Sequence, residues 1–154
     1  MTIYFLDSSA LVKRYVSEVG SLWVLSLFNP VLSNEIFIAA ITGVEIIAAV
    51  TRRARGESIS FVDAKLLCNQ LRNDLQTEYQ IVEITENIII SAMALAETYG
   101  LRGYDAIQLA TCLAVNVLSI ANSLPSVTLI SADKELNLAA SSEGLVIENP
   151  NTHL

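Results

Sequence analysis

Thr2-Ile3-Tyr4-Phe5-Leu6 runs directly into Asp7, and Ser8-Ser9-Ala10-Leu11-Val12-Lys13 follows. An apolar run of strand length, ended by an acid and continued by a stretch of helical period, reads as a buried strand feeding a helix. The same alternation continues outward from this unit. Further strands are expected at residues 35–39, 81–84, 127–130 and 145–147. Helices are expected at residues 9–16, 21–28, 42–55, 60–79, 104–119 and 133–141, with one more opened by Thr85 and closed near Gly100. Gly56 is placed to end the helix over 42–55. Strands separated by helices require crossover connections, so the expected fold is α/β, a parallel sheet covered by helices on both faces.

The chain has 154 residues, which suits one domain, expected over residues 1–150 with a short tail at 151–154. Hydrophobic residues make up 53% of it, enough for a sizeable core and too many for a disordered chain. The formal charge of -7 and pI near 4.6 argue against a broad, sequence-independent grip on nucleic acid, which needs a basic face. They do not exclude a nuclease, because divalent ions reverse the charge of a carboxylate cluster. Two apolar stretches, 36–50 and 106–121, carry Glu45 in one and Gln108, Thr111 and Asn116 in the other, and read as buried core helices rather than membrane spans. The N-terminus lacks the basic region of a signal peptide. The expected location is therefore the cytoplasm, with Cys68 and Cys112 as reduced thiols. The single His153 lies in the expected tail as surface decoration, which leaves Ser-His-Asp and Cys-His chemistry without a base.

Four acids fall where such a sheet collects ligands, beyond the carboxyl ends of its strands. Asp7 ends the first strand, and Asp133 stands just past Leu129-Ile130. Glu45 sits within an apolar helix, with Ile41, Thr42, Ala48 and Ala49 three and four residues away. A carboxylate there loses water and needs a partner or a metal. Asp105 shares a helix face with Leu109, Cys112 and Leu113. Each acid alone also fits an ordinary role. Asp7, Asp105 and Asp133 precede helices as N-caps, Asp105 with Gln108 has capping-box spacing, and Glu45 could pair with Arg52 or Arg53. Together they suit a hard divalent cation that prefers oxygen ligands and supplies an activated water for phosphodiester hydrolysis.

The ordered motifs resemble a known family. Leu6-Asp7-Ser8-Ser9-Ala10-Leu11-Val12-Lys13 looks like the opening motif of PIN-domain nucleases, especially the VapC-type toxins of toxin–antitoxin pairs. Val44-Glu45-Ile46 with Arg52-Arg53, then Leu101-Arg102-Gly103-Tyr104-Asp105-Ala106-Ile107-Gln108-Leu109-Ala110, then Thr128-Leu129-Ile130-Ser131-Ala132-Asp133-Lys134-Glu135-Leu136 look like the second, third and fourth acidic positions. The resemblance implies a three-layer α/β/α domain with a parallel sheet of about five strands. It implies Mg²⁺- or Mn²⁺-dependent cleavage of RNA by an endoribonuclease, leaving a 5′-phosphate and a 3′-hydroxyl. It makes Asp7, Glu45, Asp105 and Asp133 the catalytic metal ligands, with Ser8 and Ser131 in supporting hydrogen bonds. It also implies a homodimer inhibited by a small antitoxin protein. Lys13, Arg14, Arg52, Arg53, Arg55 and Arg102 could give a local basic rim. Alternatives left open are an RNA-processing PIN nuclease without a toxin role, a haloacid-dehalogenase-like phosphohydrolase with Ser9 where that class has its second Asp, and a receiver-like signalling domain.

Overall fold

The computed structural model describes residues 1–154. Five strands, β1 (Ile3–Leu6), β2 (Glu35–Ala39), β3 (Gln80–Val82), β4 (Val127–Ile130) and β5 (Val146–Glu148), form one sheet in the order β3-β2-β1-β4-β5. Every neighbouring pair is parallel; Ile3 lies opposite Glu35 on one side and Val127 on the other. Seven helices connect them: α1 (Ser8–Tyr15), α2 (Ser21–Ser26), α3 (Thr42–Arg55), α4 (Phe61–Thr77), α5 (Glu86–Tyr99), α6 (Gly103–Ala121) and α7 (Lys134–Ser142).

Side chains alternate across each strand and divide the interior into two layers. Ile3, Phe5, Val127 and Leu129 pack with α5, α6 and α7 on one face, while Leu6, Ile36, Ile38 and Ile130 pack with α1 to α4 on the other. The result is a three-layer α/β/α domain, as the alternation of elements implies. The order also fixes where a site can form. Chain connections leave β1 toward β2 on one side and return to β4 on the other. The carboxyl ends of β1 and β4 therefore sit at the topological switch point, where the helices following two adjacent strands diverge.

Helix α6 extends further than its periodicity suggested, to 19 residues, and is long and apolar enough by length and composition to cross a membrane. Here it is a core helix, with Leu109, Ala110, Cys112 and Val115 buried against α5 and the sheet. Gly56 does close α3, but at φ −82°; the left-handed residue is Glu57 at φ 63°, so the helix end does not depend on glycine's freedom. Gly20, at φ 85°, does need its missing side chain, because an added Cβ would lie 2.3 Å from the carbonyl oxygen of Pro150. The residues read as a tail are ordered against α2. A 3-10 turn covers Pro150–Thr152. The His153 ring stacks on Trp23 at 4.0 Å, nearly parallel, and bonds Glu148 at 2.9 Å. His153 is thus part of a packed corner, not loose decoration.

Candidate active site

A cleft of ≈ 530 Å³ opens at the switch point, and Asp7, Glu45, Asp105 and Asp133 all line it. Asp7 comes from the β1–α1 junction and Asp133 from the β4–α7 junction. Glu45 lies in the first turn of α3 and Asp105 in the first turn of α6.

Two serines lock the strand junctions together. The Ser9 hydroxyl donates to Asp7 Oδ1 at 2.7 Å and accepts from the Ala132 N–H at 2.9 Å. The Ser131 hydroxyl donates to Asp7 Oδ2 at 2.7 Å and accepts from the Asp133 N–H at 3.1 Å. Asp7 also caps α1 through the Ala10 N–H at 3.0 Å, and Asp133 caps α7 through the Leu136 N–H at 2.9 Å. Capping and membership of the cleft are therefore compatible roles. A carboxylate offers about four lone-pair positions, so Asp7 keeps one after its three donors, and Asp133 keeps more.

Glu45 is clamped at both oxygens. Ser8 donates to Oε2 at 2.9 Å, and the Gln108 amide donates to Oε1 at 2.8 Å and to the Thr42 hydroxyl at 2.9 Å. Holding both contacts leaves the buried Gln108 Oε1 without a partner. A buried, unpaired carbonyl costs about 1–3 kcal/mol, which makes Gln108 an expensive residue unless fixing Glu45 matters. The capping-box reading of Asp105 with Gln108 does not hold. Arg102 occupies the N-cap of α6 with no side-chain cap, and Gln108 turns inward to α3.

The four acids make no ion pair with any protein cation; the salt bridges lie elsewhere, between Arg14 and Asp74, Arg14 and Glu78, Arg53 and Glu18, and His153 and Glu148. Burial pushes the Asp7 carboxyl up to about 6, opposed by Ser131, Ser9 and the Ala10 N–H and reinforced by Asp105. Burial likewise pushes Asp105 up to about 6, followed by repulsion from Asp133 and Glu45, with Arg102 acting in the opposite direction. Unlike Asp7, Asp105 is not lowered by any hydrogen bond from the protein. The residues fit a divalent cation on this ground: mutually repelling, partly desolvated carboxylates face one cleft with open lone pairs and no ion-pair partner. No three acidic, His or Cys side chains close into a cage of their own. An open arrangement suits Mg²⁺, which keeps waters and takes oxygens from a phosphate.

The expected basic rim is only partly realised. Arg52, Arg53 and Arg102 line the cleft, whereas Lys13 is buried and Arg55 lies outside it. Arg14 points to the opposite side of α1, where it donates to Tyr79 at 2.8 Å and lies 3.9 Å from the centre of the Phe28 ring. Sequence reasoning missed Ser9 and Tyr104 as cleft residues, and Thr42 and Gln108 as the buried pair behind Glu45. The available signals were a hydroxyl two residues past Asp7, the lone hydroxyl before Glu45, and a Gln one turn past Asp105.

The family model for the PIN domain matches residues 4–141. No curated protein matches the chain in sequence. Among solved structures, FitAcB from Neisseria gonorrhoeae is similar with a TM-score of 0.64 at 19% identity, covering 98% of this chain and 99% of that one. A toxin–antitoxin complex from Klebsiella pneumoniae gives 0.60 at 19% identity, covering 96% and 97%. VapBC-1 from nontypeable Haemophilus influenzae gives 0.61 at 13% identity, covering 97% and 98%. At these identities the likeness is one of fold.

Proposed function

This chain belongs to the PIN-domain family, and on that premise we propose that it is a divalent-metal-dependent endoribonuclease acting as the toxin of a toxin–antitoxin pair. The observation that carries the reading is the convergence of Asp7, Glu45, Asp105 and Asp133 on one cleft, where none of the four is in an ion pair with a protein cation. Mg²⁺ or Mn²⁺, when bound, supplies charge neutralisation and an activated water for attack on phosphorus. The chain's own residues then have separate tasks. Asp7 is held rigid by Ser9 and Ser131, and Glu45 by Ser8 and Gln108, so neither carboxylate has to be ordered when substrate arrives. Asp105, free of protein donors, is the most available ligand oxygen. Residues 1–150 act as the nuclease domain. The toxin role is supported by similarity to structures described as a toxin–antitoxin complex and as a member of a family of toxin–antitoxin systems, and it brings a small antitoxin protein as partner; the proposed working form is a homodimer. Free Cys68 and Cys112 accord with the reducing cytoplasm where RNA is the substrate.

The test is cleavage of single-stranded and structured RNA by purified protein with Mg²⁺, with EDTA, and with Asp7→Asn protein. Cleavage should need the metal, stop with chelator, and vanish in the variant while the fold persists. Cutting that continues in EDTA would remove the metal mechanism. Induced expression should also arrest growth; intact cleavage with harmless expression would point to RNA processing instead.

A further inference from the structure

Gln108 is not the only amide with an orphaned oxygen. Asn137, in α7, has its buried Oδ1 without a partner as well. Its amide donates to the Ser131 carbonyl at 2.8 Å. No main-chain N–H reaches that carbonyl, and Ser131 is fully buried. Turning the amide over would set oxygen against oxygen, so the orphan comes with the contact. An apolar residue at 137 would leave the Ser131 oxygen unpaired, whereas asparagine leaves its own oxygen unpaired. The number of unsatisfied buried oxygens is the same in both cases. Asparagine is also a poor residue for a helix interior. Stability therefore does not explain Asn137.

What the contact does fix is a peptide plane. The Ser131 carbonyl and the Ala132 N–H belong to one rigid unit. Asn137 holds its oxygen edge, and the Ser9 hydroxyl accepts from its N–H edge at 2.9 Å. With that N–H on its lone pair, Ser9 turns its proton to Asp7 Oδ1 at 2.7 Å. The rest of Ser131 is held too. Its N–H donates to the Glu148 carbonyl at 3.1 Å, and its hydroxyl accepts from the Asp133 N–H at 3.1 Å and donates to Asp7 Oδ2 at 2.7 Å. Both hydroxyls on Asp7 thus take their direction from the turn that Asn137 closes.

We infer that Asn137 is a positioning residue for Asp7: by holding the Ser131–Ala132 peptide it aims the Ser9 and Ser131 hydroxyls, and so presents the carboxylate to the cation in one orientation. This rests on the metal-dependent reading above. Asn137 itself does not line the cleft, so its effect passes entirely through the two serines.

The experiment has two readouts on the full chain. Amide hydrogen exchange is followed by NMR in the metal-free protein, and Mn²⁺ affinity is measured by calorimetry. Asn137→Leu and Asn137→Ala differ in volume but remove the same donor, so they should behave alike. Each should speed exchange at Ala132 about tenfold, as expected for one ordinary hydrogen bond, and leave the core strand amide of Leu129 unchanged. Each should also weaken Mn²⁺ binding about tenfold, the usual effect of removing a group that orients a metal ligand. In a Ser9→Ala background the loss from Asn137→Leu should shrink, because one of the two hydroxyls it aims is gone. Unchanged exchange and affinity would overturn the inference and leave the nuclease reading standing. Faster exchange at Ala132 with affinity unchanged would also overturn it, since Asn137 would then hold the turn and not Asp7. Protection lost equally at Leu129, or an undiminished effect beside Ser9→Ala, would make Asn137 a residue of the fold only. If the wild-type protein binds no Mn²⁺, the nuclease reading falls and this inference with it.

Discussion

Two buried aspartates lie against opposite ends of α1, and the chain treats them in opposite ways. Asp74, 5% exposed, receives the Tyr15 hydroxyl at 2.7 Å and the Gln70 amide at 2.9 Å, with the Arg14 guanidinium at 3.8 Å. Tyr79 links Arg14 to Tyr15, so hydroxyl donors run in one direction from the cation to the carboxylate. Burial, reinforced by Tyr79, pushes the Tyr15 phenol far above its ordinary range and keeps it a donor. Asp7, 2% exposed, receives two hydroxyls and one N–H, but no cation, and it faces other acids. A buried carboxylate with a protein counter-charge is a fixture of the fold. One with donors but no ion-pair partner is, on the proposed function, held ready for a cation from outside.

Substitutions separate the two cases. The largest effect on stability is expected at the closed network. Asp74→Ala leaves the Tyr15 hydroxyl and the Gln70 amide without their acceptor and takes one carboxylate from Arg14, and should cost about 3 kcal/mol in urea unfolding, while the folded fraction still binds metal. An equal loss of metal binding and stability would mean that the two ends of α1 are not independent. Next comes the clamp on Glu45. Gln108→Leu deletes an orphaned carbonyl along with two hydrogen bonds, so net stability should change by less than about 1 kcal/mol. Metal affinity should fall about tenfold, the usual effect of removing a residue that orients a ligand. A large stability loss with unchanged affinity would make Gln108 a core residue only.

The smallest effect is in pH. The Asp105 carboxyl is raised from 3.8 to about 6 by burial and by Asp133 and Glu45. Between those values the folded, metal-free protein holds a proton that the unfolded chain releases, so stability declines as pH rises through that window. Asp105→Asn removes the penalty. Without metal it should melt higher than wild type above pH 6 and equally below pH 4. A gain that persists at low pH would assign the effect to packing instead of repulsion among the acids.

How far this was legible in sequence follows from the range of the forces involved. β2, α3 and β4 begin and end where the apolar pattern and caps put them, because strand periodicity and capping are local. The acids were legible because strand ends and a carboxylate inside an apolar helix are local features too. What escaped depends on distant contacts. Ser9 meets Ala132, Gln108 meets Thr42 and Glu45, and the Trp23 ring meets His153, all far apart in the chain. Arg14 was grouped with the rim arginines, but its position on α1 turns it toward Tyr79 and Phe28 on the opposite side. Gln108 sat at a spacing that fits a cap equally well, and only the position of α3 beside α6 decides between the two.

The most direct measurement is titration of the metal-free protein with Mn²⁺, followed by paramagnetic resonance and calorimetry, for wild type, Asp7→Asn, Asp105→Asn and Asp74→Asn. Saturable binding by wild type and Asp74→Asn, lost or severely weakened in the two cleft variants, is the expected result. Equal binding by all four proteins, or none by the wild type, would contradict a cleft built to receive a cation.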